Sequence, residues 1–225
     1  MQSWGARLLI LAHRGLWREA AEQNSLAALQ RALVEGFGVE TDIRDCAGQL
    51  VISHDPPLAG AIPFAAFLDE YSKLGSSQML ALNIKADGLT RLLADALGYH
   101  RITREQYFVF DMPPPDARQY LQLGMPCFTR QSEIEPIPAF IDEASGIWLD
   151  CFAEDWINAD VIEGHCRAGR MVGLVSPELH GRDWQAAWKE WRKAYRDLQR
   201  QGFGQRIMIC TDHPREARAY FNAAD

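Results

Sequence analysis

The chain has 225 residues, 48% of them hydrophobic and 24% charged, which is ordinary globular material long enough to bury a sizeable core. A formal net charge of -7 argues against a duplex nucleic-acid partner, which requires a basic face, although it leaves room for a basic pocket. Five dispersed cysteines (Cys46, Cys127, Cys151, Cys166, Cys210) without a CxxC pair read as reduced thiols of a cytoplasmic protein, and the one early apolar run, Leu8 to Ala12, is too short for a signal core or a membrane span.

Short apolar runs alternate with amphipathic stretches along the whole chain. The runs predict strands over Arg7–His13, Gly38–Arg44, Gln49–His54, Gln78–Lys85, Gln106–Phe110, Met125–Thr129, Gly146–Asp150, Met171–Ser176 and Arg206–Thr211. Helices are predicted over Asn24–Glu35, Pro63–Lys73, Leu89–Gly98, Pro115–Leu123, Asn158–Ala168, Trp184–Gln201 and Pro214–Ala223. In the first helix Leu26, Leu29 and Leu33 share a face, with Asn24 as the expected N-cap. Strand and helix in repeated alternation imply parallel strands with crossover helices. The glycine-rich dinucleotide fingerprint is missing and about eight repeats fill this length, so the expected fold is an α/β, (β/α)8 barrel rather than an open sheet. Asp45–Gly48 reads as a tight turn that adds one hairpin strand, and residues 1–225 read as one domain.

Barrel chemistry sits at the C-terminal ends of the strands. Those ends carry His13-Arg14-Gly15, Glu40-Thr41-Asp42, His54-Asp55, Asn83-Ile84-Lys85 and Thr211-Asp212. Strand alternation puts Glu40 and Asp42 on one face. Two carboxylates there repel and lose hydration, so they need compensation from a hard divalent cation such as Mg²⁺ or Ca²⁺, or from ion pairs to Arg14, Arg44 or Lys85. His13 and His54 lie at the ends of strands expected to flank this pair. Each alone reads as a hydrogen-bonded structural residue, but together they suit a reaction that removes one proton and returns another near neutral pH. Arg14 and Lys85 can then hold phosphoryl oxygens.

The string His13-Arg14-Gly15, Gln23-Asn24-Ser25, Glu40-Thr41-Asp42, His54-Asp55 resembles the glycerophosphodiester phosphodiesterase family, within the phosphatidylinositol-phosphodiesterase-like barrels. The close match covers roughly the first third of the chain, and Asn83-Ile84-Lys85 and Thr211-Asp212-His213-Pro214 look like later landmarks. The resemblance implies that His13 and His54 are the acid/base pair, Glu40 and Asp42 metal ligands, Lys85 a phosphate contact and Arg14 a supporting cation. It also implies one divalent cation, Mg²⁺ or Ca²⁺ with Mn²⁺ a further candidate, a small-molecule phosphodiester substrate, and a place in lipid metabolism. Three features depart from the family's pattern. Asn83 stands where the family has a third acidic ligand, offering a neutral oxygen; Gln23 replaces a glutamate; and the segment between His54-Asp55 and the helix from Pro63 is shorter than the family's insertion.

Other residues carry two readings each. Glu178, His180 and Arg182, after the expected strand Met171–Ser176, are either head-group contacts or a capped loop. Arg130 is a further candidate phosphate contact, and Trp148 either stacks on substrate or packs in the core. Trp184, Trp188, Trp191 and Tyr195 recur at helical spacing, as a stripe that packs on the barrel or forms a homodimer interface. There is no GxSxG elbow, Cys46 and Cys210 lack an activating partner, and His100 and His165 read as structural. The leading expectation is a metal-dependent phosphodiester hydrolase acting on a glycerophosphodiester-like substrate. The competing ones are a lyase-type variant releasing a cyclic phosphate and a catalytically weak barrel that binds a phosphorylated ligand.

Overall fold

The structure, a computed structural model, describes residues 7–57 and 60–223. They divide into two compact units, one of residues 12–127 and one of residues 7–11 with 128–223; strand β1 (Leu9–His13) runs through the division.

The unit of residues 12–127 holds α1 (Leu26–Val34), β2 (Gly38–Cys46), β3 (Gln49–Ile52), β4 (Ile62–Pro63), α2 (Phe64–Lys73), β5 (Leu80–Ile84), α3 (Thr90–Tyr99), β6 (Tyr107–Phe110) and α4 (Pro114–Gln122). Strands β2, β5 and β6 pair in parallel in that order, joined by crossover helices as the alternation predicts. Every residue of β5 and β6 is buried, which is how strands covered on both faces read in sequence. Strand β3 pairs antiparallel with β2. The turn between them is only Ala47-Gly48, with φ of 50° and 78°, the doubly left-handed geometry whose twist suits a two-residue hairpin. The short strand β4 adds to β3 and is not visible as an apolar run, since it is only two residues long and includes Pro63. Leu58 and Ala59, in the segment that is shorter than the family's insertion, lie outside the described residues.

The expected cap of α1 needs correcting. Ser25, in extended conformation, accepts the Ala28 N–H at 3.2 Å, while Asn24 adopts a left-handed φ of 59° and turns its amide elsewhere.

The unit of residues 7–11 and 128–223 holds β7 (Phe128–Gln131), β8 (Gly146–Leu149), α5 (Ala159–Arg167), β9 (Met171–Val175), a 3-10 turn (Pro177–His180), α6 (Gln185–Arg200), β10 (Ile207–Thr211) and α7 (Pro214–Asn222). Strands β7, β8, β9 and β10 pair in parallel in sequence order. Strand β7 begins three residues later than expected from Met125–Thr129. Pro126 has no N–H to give a ladder, and its carbonyl instead accepts from Val109 at 2.9 Å. Trp188, Trp191 and Tyr195 are buried within the chain, with Trp188 Nε1 donating to Ser176 Oγ at 2.7 Å and Trp191 Nε1 to the Ile157 carbonyl at 3.0 Å. The aromatic stripe is therefore internal packing. Trp148 is also core, its ring lying so close to Gly173 that a Cβ there would sit 2.6 Å from it. Among the described residues no helix is long and apolar enough to cross a membrane.

Candidate active site

Strand β2 supplies Glu40 and Asp42, and both side chains are removed from water. Neighbouring elements converge on them. The His13 ring places Nε2 3.9 Å from Glu40 Oε2. Arg14 takes a left-handed φ of 54°, so that its backbone N–H donates to Glu40 Oε2 at 3.2 Å while its Nε lies 3.0 Å from Asp42 Oδ2. Its Nη1 donates to Gln23 Oε1 at 3.2 Å, which gives the residue in the family's glutamate position a supporting role. Asn24 donates to Asp42 Oδ2 at 2.8 Å and accepts from Thr41 Oγ1 at 2.8 Å. Thus both faces of β2 are tied to the loop after β1, and the displaced cap residue is a hub of the site.

Strand β5 brings the second set. Asp42 and Asn83 are register partners, and Lys85 Nζ lies 3.7 Å from Asp42 Oδ1 and 3.1 Å from Asp111 Oδ2. Asp111, the residue after β6, is a site member that the motif reading misses. The rule that exposed the others, reading each strand end in turn, points to it as well.

Two buried oxygens, Asp42 Oδ1 and Asn83 Oδ1, have no hydrogen-bond partner. Glu40 shows the same shortage of compensation. Loss of hydration, then the neighbouring Asp42 charge, push its carboxyl from an ordinary 4.5 up to about 7, against the opposing pull of His13, Arg14 and Lys85. The donor set of two carboxylates and one amide oxygen fits a hard divalent cation. Among the described residues no three His, Cys, Asp or Glu side chains gather as ligands, so the third oxygen would be the neutral one of Asn83.

The raised Glu40 carboxyl predicts an unusual pH dependence. The folded chain binds this proton more tightly than the unfolded chain, so between about 4.5 and 7 the native state holds the extra proton. Stability without a divalent cation should fall as pH rises through that window. Urea denaturation at pH 5 and pH 8 in chelator should show the slope, and Glu40→Gln should remove it.

His54 lies two residues beyond β3 and is about half exposed. Among the described residues its ring meets Asp55 (Nδ1 to Oδ1, 3.0 Å) and not the Glu40 and Asp42 carboxylates, although the adjacent Ser53 N–H donates to the Asp42 carbonyl at 3.1 Å. Arg44 donates to the His54 carbonyl at 2.9 Å and so holds this loop.

The other expected residues lie in the second unit. There Arg130 pairs with Glu135 and stands 5.6 Å from the Phe152 ring, Phe152 lies 4.8 Å from the His180 ring, and His180 Nε2 meets Asp150 Oδ1 at 2.7 Å. Glu178 is engaged internally, accepting from Ser176 Oγ, Thr211 Oγ1 and the Asp212 N–H. Arg182 donates to the Cys151 carbonyl at 2.9 Å and pairs with Asp155. His165 is half-buried against Gln131, and burial lowers its pKa.

This is a site of the α/β-barrel class, with charged groups at the ends of parallel strands, and the chain has the (β/α)8-barrel fold expected from its alternating pattern. Several solved structures that share this fold, at 15–17% sequence identity, bear the name of the family the motifs resemble. A candidate glycerophosphodiester phosphodiesterase from Galdieria sulphuraria superposes with a TM-score of 0.73 at 15% identity, over 96% of this chain and 98% of that one. An Oleispira antarctica phosphodiesterase in complex with the product sn-glycerol-3-phosphate gives 0.69 at 17% identity, over 96% and 98%. The glycerophosphodiester phosphodiesterase of Agrobacterium tumefaciens gives 0.64 at 17%, over 94% and 99%. No protein-family model and no curated protein matches the sequence.

Proposed function

We propose that this chain is a metal-dependent phosphodiesterase of the glycerophosphodiester phosphodiesterase family, cleaving a small phosphodiester with a glycerol-like alcohol. The observation that carries the reading is the buried cluster of Glu40, Asp42 and Asn83, whose partnerless oxygens and raised carboxyl ask for a cation, set between Arg14, Lys85 and His13. The shared fold and the motif string support it, and the glycerol 3-phosphate held by the Oleispira protein is the kind of product expected here. The unbridged cysteines fit a reducing compartment, so the reading is of a cytoplasmic enzyme.

When bound by Glu40, Asp42 and the Asn83 amide oxygen, the cation supplies positive charge against the phosphoryl oxygens. Lys85 adds a second charge there as the transition state forms. Arg14 keeps Glu40 and Asp42 in place through its backbone N–H and its guanidinium. His13 and His54 divide the proton transfers: one takes the proton of the attacking water, and the other protonates the leaving alkoxide oxygen. Asp55 beside Nδ1 of His54 favours the proton on that nitrogen, leaving Nε2 as the exchanging atom.

The deciding assay follows hydrolysis of bis(p-nitrophenyl) phosphate and a panel of glycerophosphodiesters with Mg²⁺, Ca²⁺, Mn²⁺ or chelator. Turnover that requires the cation is expected; equal rates in chelator would remove the metal from the reaction. In ¹⁸O water the monoester product should carry the label, whereas an unlabelled cyclic phosphate would reveal attack by a hydroxyl of the substrate itself.

A further inference from the structure

The site contains an ion pair that the proposed chemistry leaves unexplained. Lys85 follows β5, its backbone N–H fixed to the Ile43 carbonyl at 3.0 Å, so only the side chain can choose a partner. Two carboxylates compete for it. Asp42 is the more buried, and attraction between opposite charges strengthens as water is excluded. Lys85 nevertheless bonds to Asp111 at 3.1 Å and stays 3.7 Å from Asp42 Oδ1, beyond hydrogen-bond range. The consequence is that Asp42 Oδ1 is left without a hydrogen bond, as is Asn83 Oδ1 on the register partner. A buried acceptor without a partner is costly, and an ammonium within reach would ordinarily close on it.

Asp111 is held in an unusual conformation where it makes this contact. Its φ is 73°, in the left-handed region that non-glycine residues enter rarely and at a cost, least so for Asp and Asn. Such a conformation persists only where its surroundings maintain it.

We infer that Asp111 is a positioning residue that draws the Lys85 ammonium off Asp42, keeping Asp42 Oδ1 open beside Asn83 Oδ1 for a divalent cation. The inference rests on the reading of Glu40, Asp42 and Asn83 as the cation's ligands. It assigns Asp111 no direct bond to the metal. Without it, Lys85 closes on Asp42 and competes with the cation for the same oxygen.

The experiment is Mn²⁺ binding to the intact chain by calorimetry, without substrate, in a double-mutant cycle. Asp111→Asn keeps the shape and tolerates the left-handed backbone; Asp111→Gly, which also suits that φ, serves as the second variant if the first does not fold. Asp111→Asn should weaken Mn²⁺ about tenfold in the otherwise wild-type chain and less than about twofold in a Lys85→Met background. An equal loss in both backgrounds would mean that Asp111 acts on the metal itself and would overturn the inference. So would a variant that binds Mn²⁺ as well as wild type. A wild-type chain that binds no Mn²⁺ overturns the ligand reading and this inference with it, whereas the phosphodiesterase reading is tested separately by turnover.

Discussion

Replacing His13 by alanine should cut diester turnover by about 10² to 10⁴-fold, the usual worth of a positioned acid or base, with the far-ultraviolet circular dichroism unchanged. The site's construction supports a loss in catalysis rather than in folding. The His13 ring lies 3.9 Å from Glu40 Oε2, while the backbone beside it is held by the Asn24 N–H to Arg14 carbonyl bond at 2.9 Å and by Arg14 N–H to Glu40. His54→Ala should give a loss of similar size, since its half-exposed ring stabilises little. The pH profile of kcat/KM should be bell-shaped in the wild type and lose one limb in each variant. Wild-type rates in both variants would rule out the two-histidine scheme. A large loss in His13→Ala alone would leave His54 as a loop residue tied to Asp55.

Gly15→Ala should be the most damaging small substitution in the loop that carries Arg14. Gly15 has a φ of 87°, and a Cβ on it would sit 2.7 Å from the carbonyl carbon of Ala28 and 2.8 Å from the Leu29 nitrogen. Those are backbone atoms of α1, so no side chain can swing away. Strain at the left-handed residue and the forced displacement of the helix each cost about 1–3 kcal/mol, giving a loss of about 3 kcal/mol or more. The displaced loop would also break the Leu16 N–H to Ala28 carbonyl bond at 2.9 Å and shift Arg14 off Asp42. Urea unfolding monitored by fluorescence should show the drop in midpoint, and diester turnover should fall with it. A loss below about 1 kcal/mol would mean that loop and helix separate freely.

Much of the fold is legible in local sequence because its signals are local. Parallel strands buried on both faces, such as Leu80–Ile84 and Ile207–Thr211, appear as largely apolar runs interrupted only by Asn83 and Thr211, and the amphipathic helices between them repeat at a period near 3.6. The same locality makes His13, Glu40, Asp42, Asn83 and Lys85 legible as residues at strand ends. The boundaries that shifted did so for non-local or stereochemical reasons: Pro126 cannot donate to a ladder, and Asn24 gives up the cap to Ser25 because buried Asp42 and Thr41 bind its amide. Neither competitor can be read from the residues next to Asn24, because Thr41 and Asp42 lie on the following strand.

By itself, then, the sequence determined the strand–helix alternation, the pairing of two carboxylates on one strand face, and the presence of cationic and imidazole groups at strand ends. Only the tertiary structure decided which cation faces which carboxylate. Arg14 is turned onto Asp42 by a left-handed backbone, Asp111 arrives from the adjacent strand to hold Lys85, and Trp188 and Trp191 are buried rather than offered to a partner. The physical reason is that periodicity fixes the face a side chain leaves from, whereas hydrogen bonding and charge compensation in a low-dielectric site depend on groups brought together from distant parts of the chain.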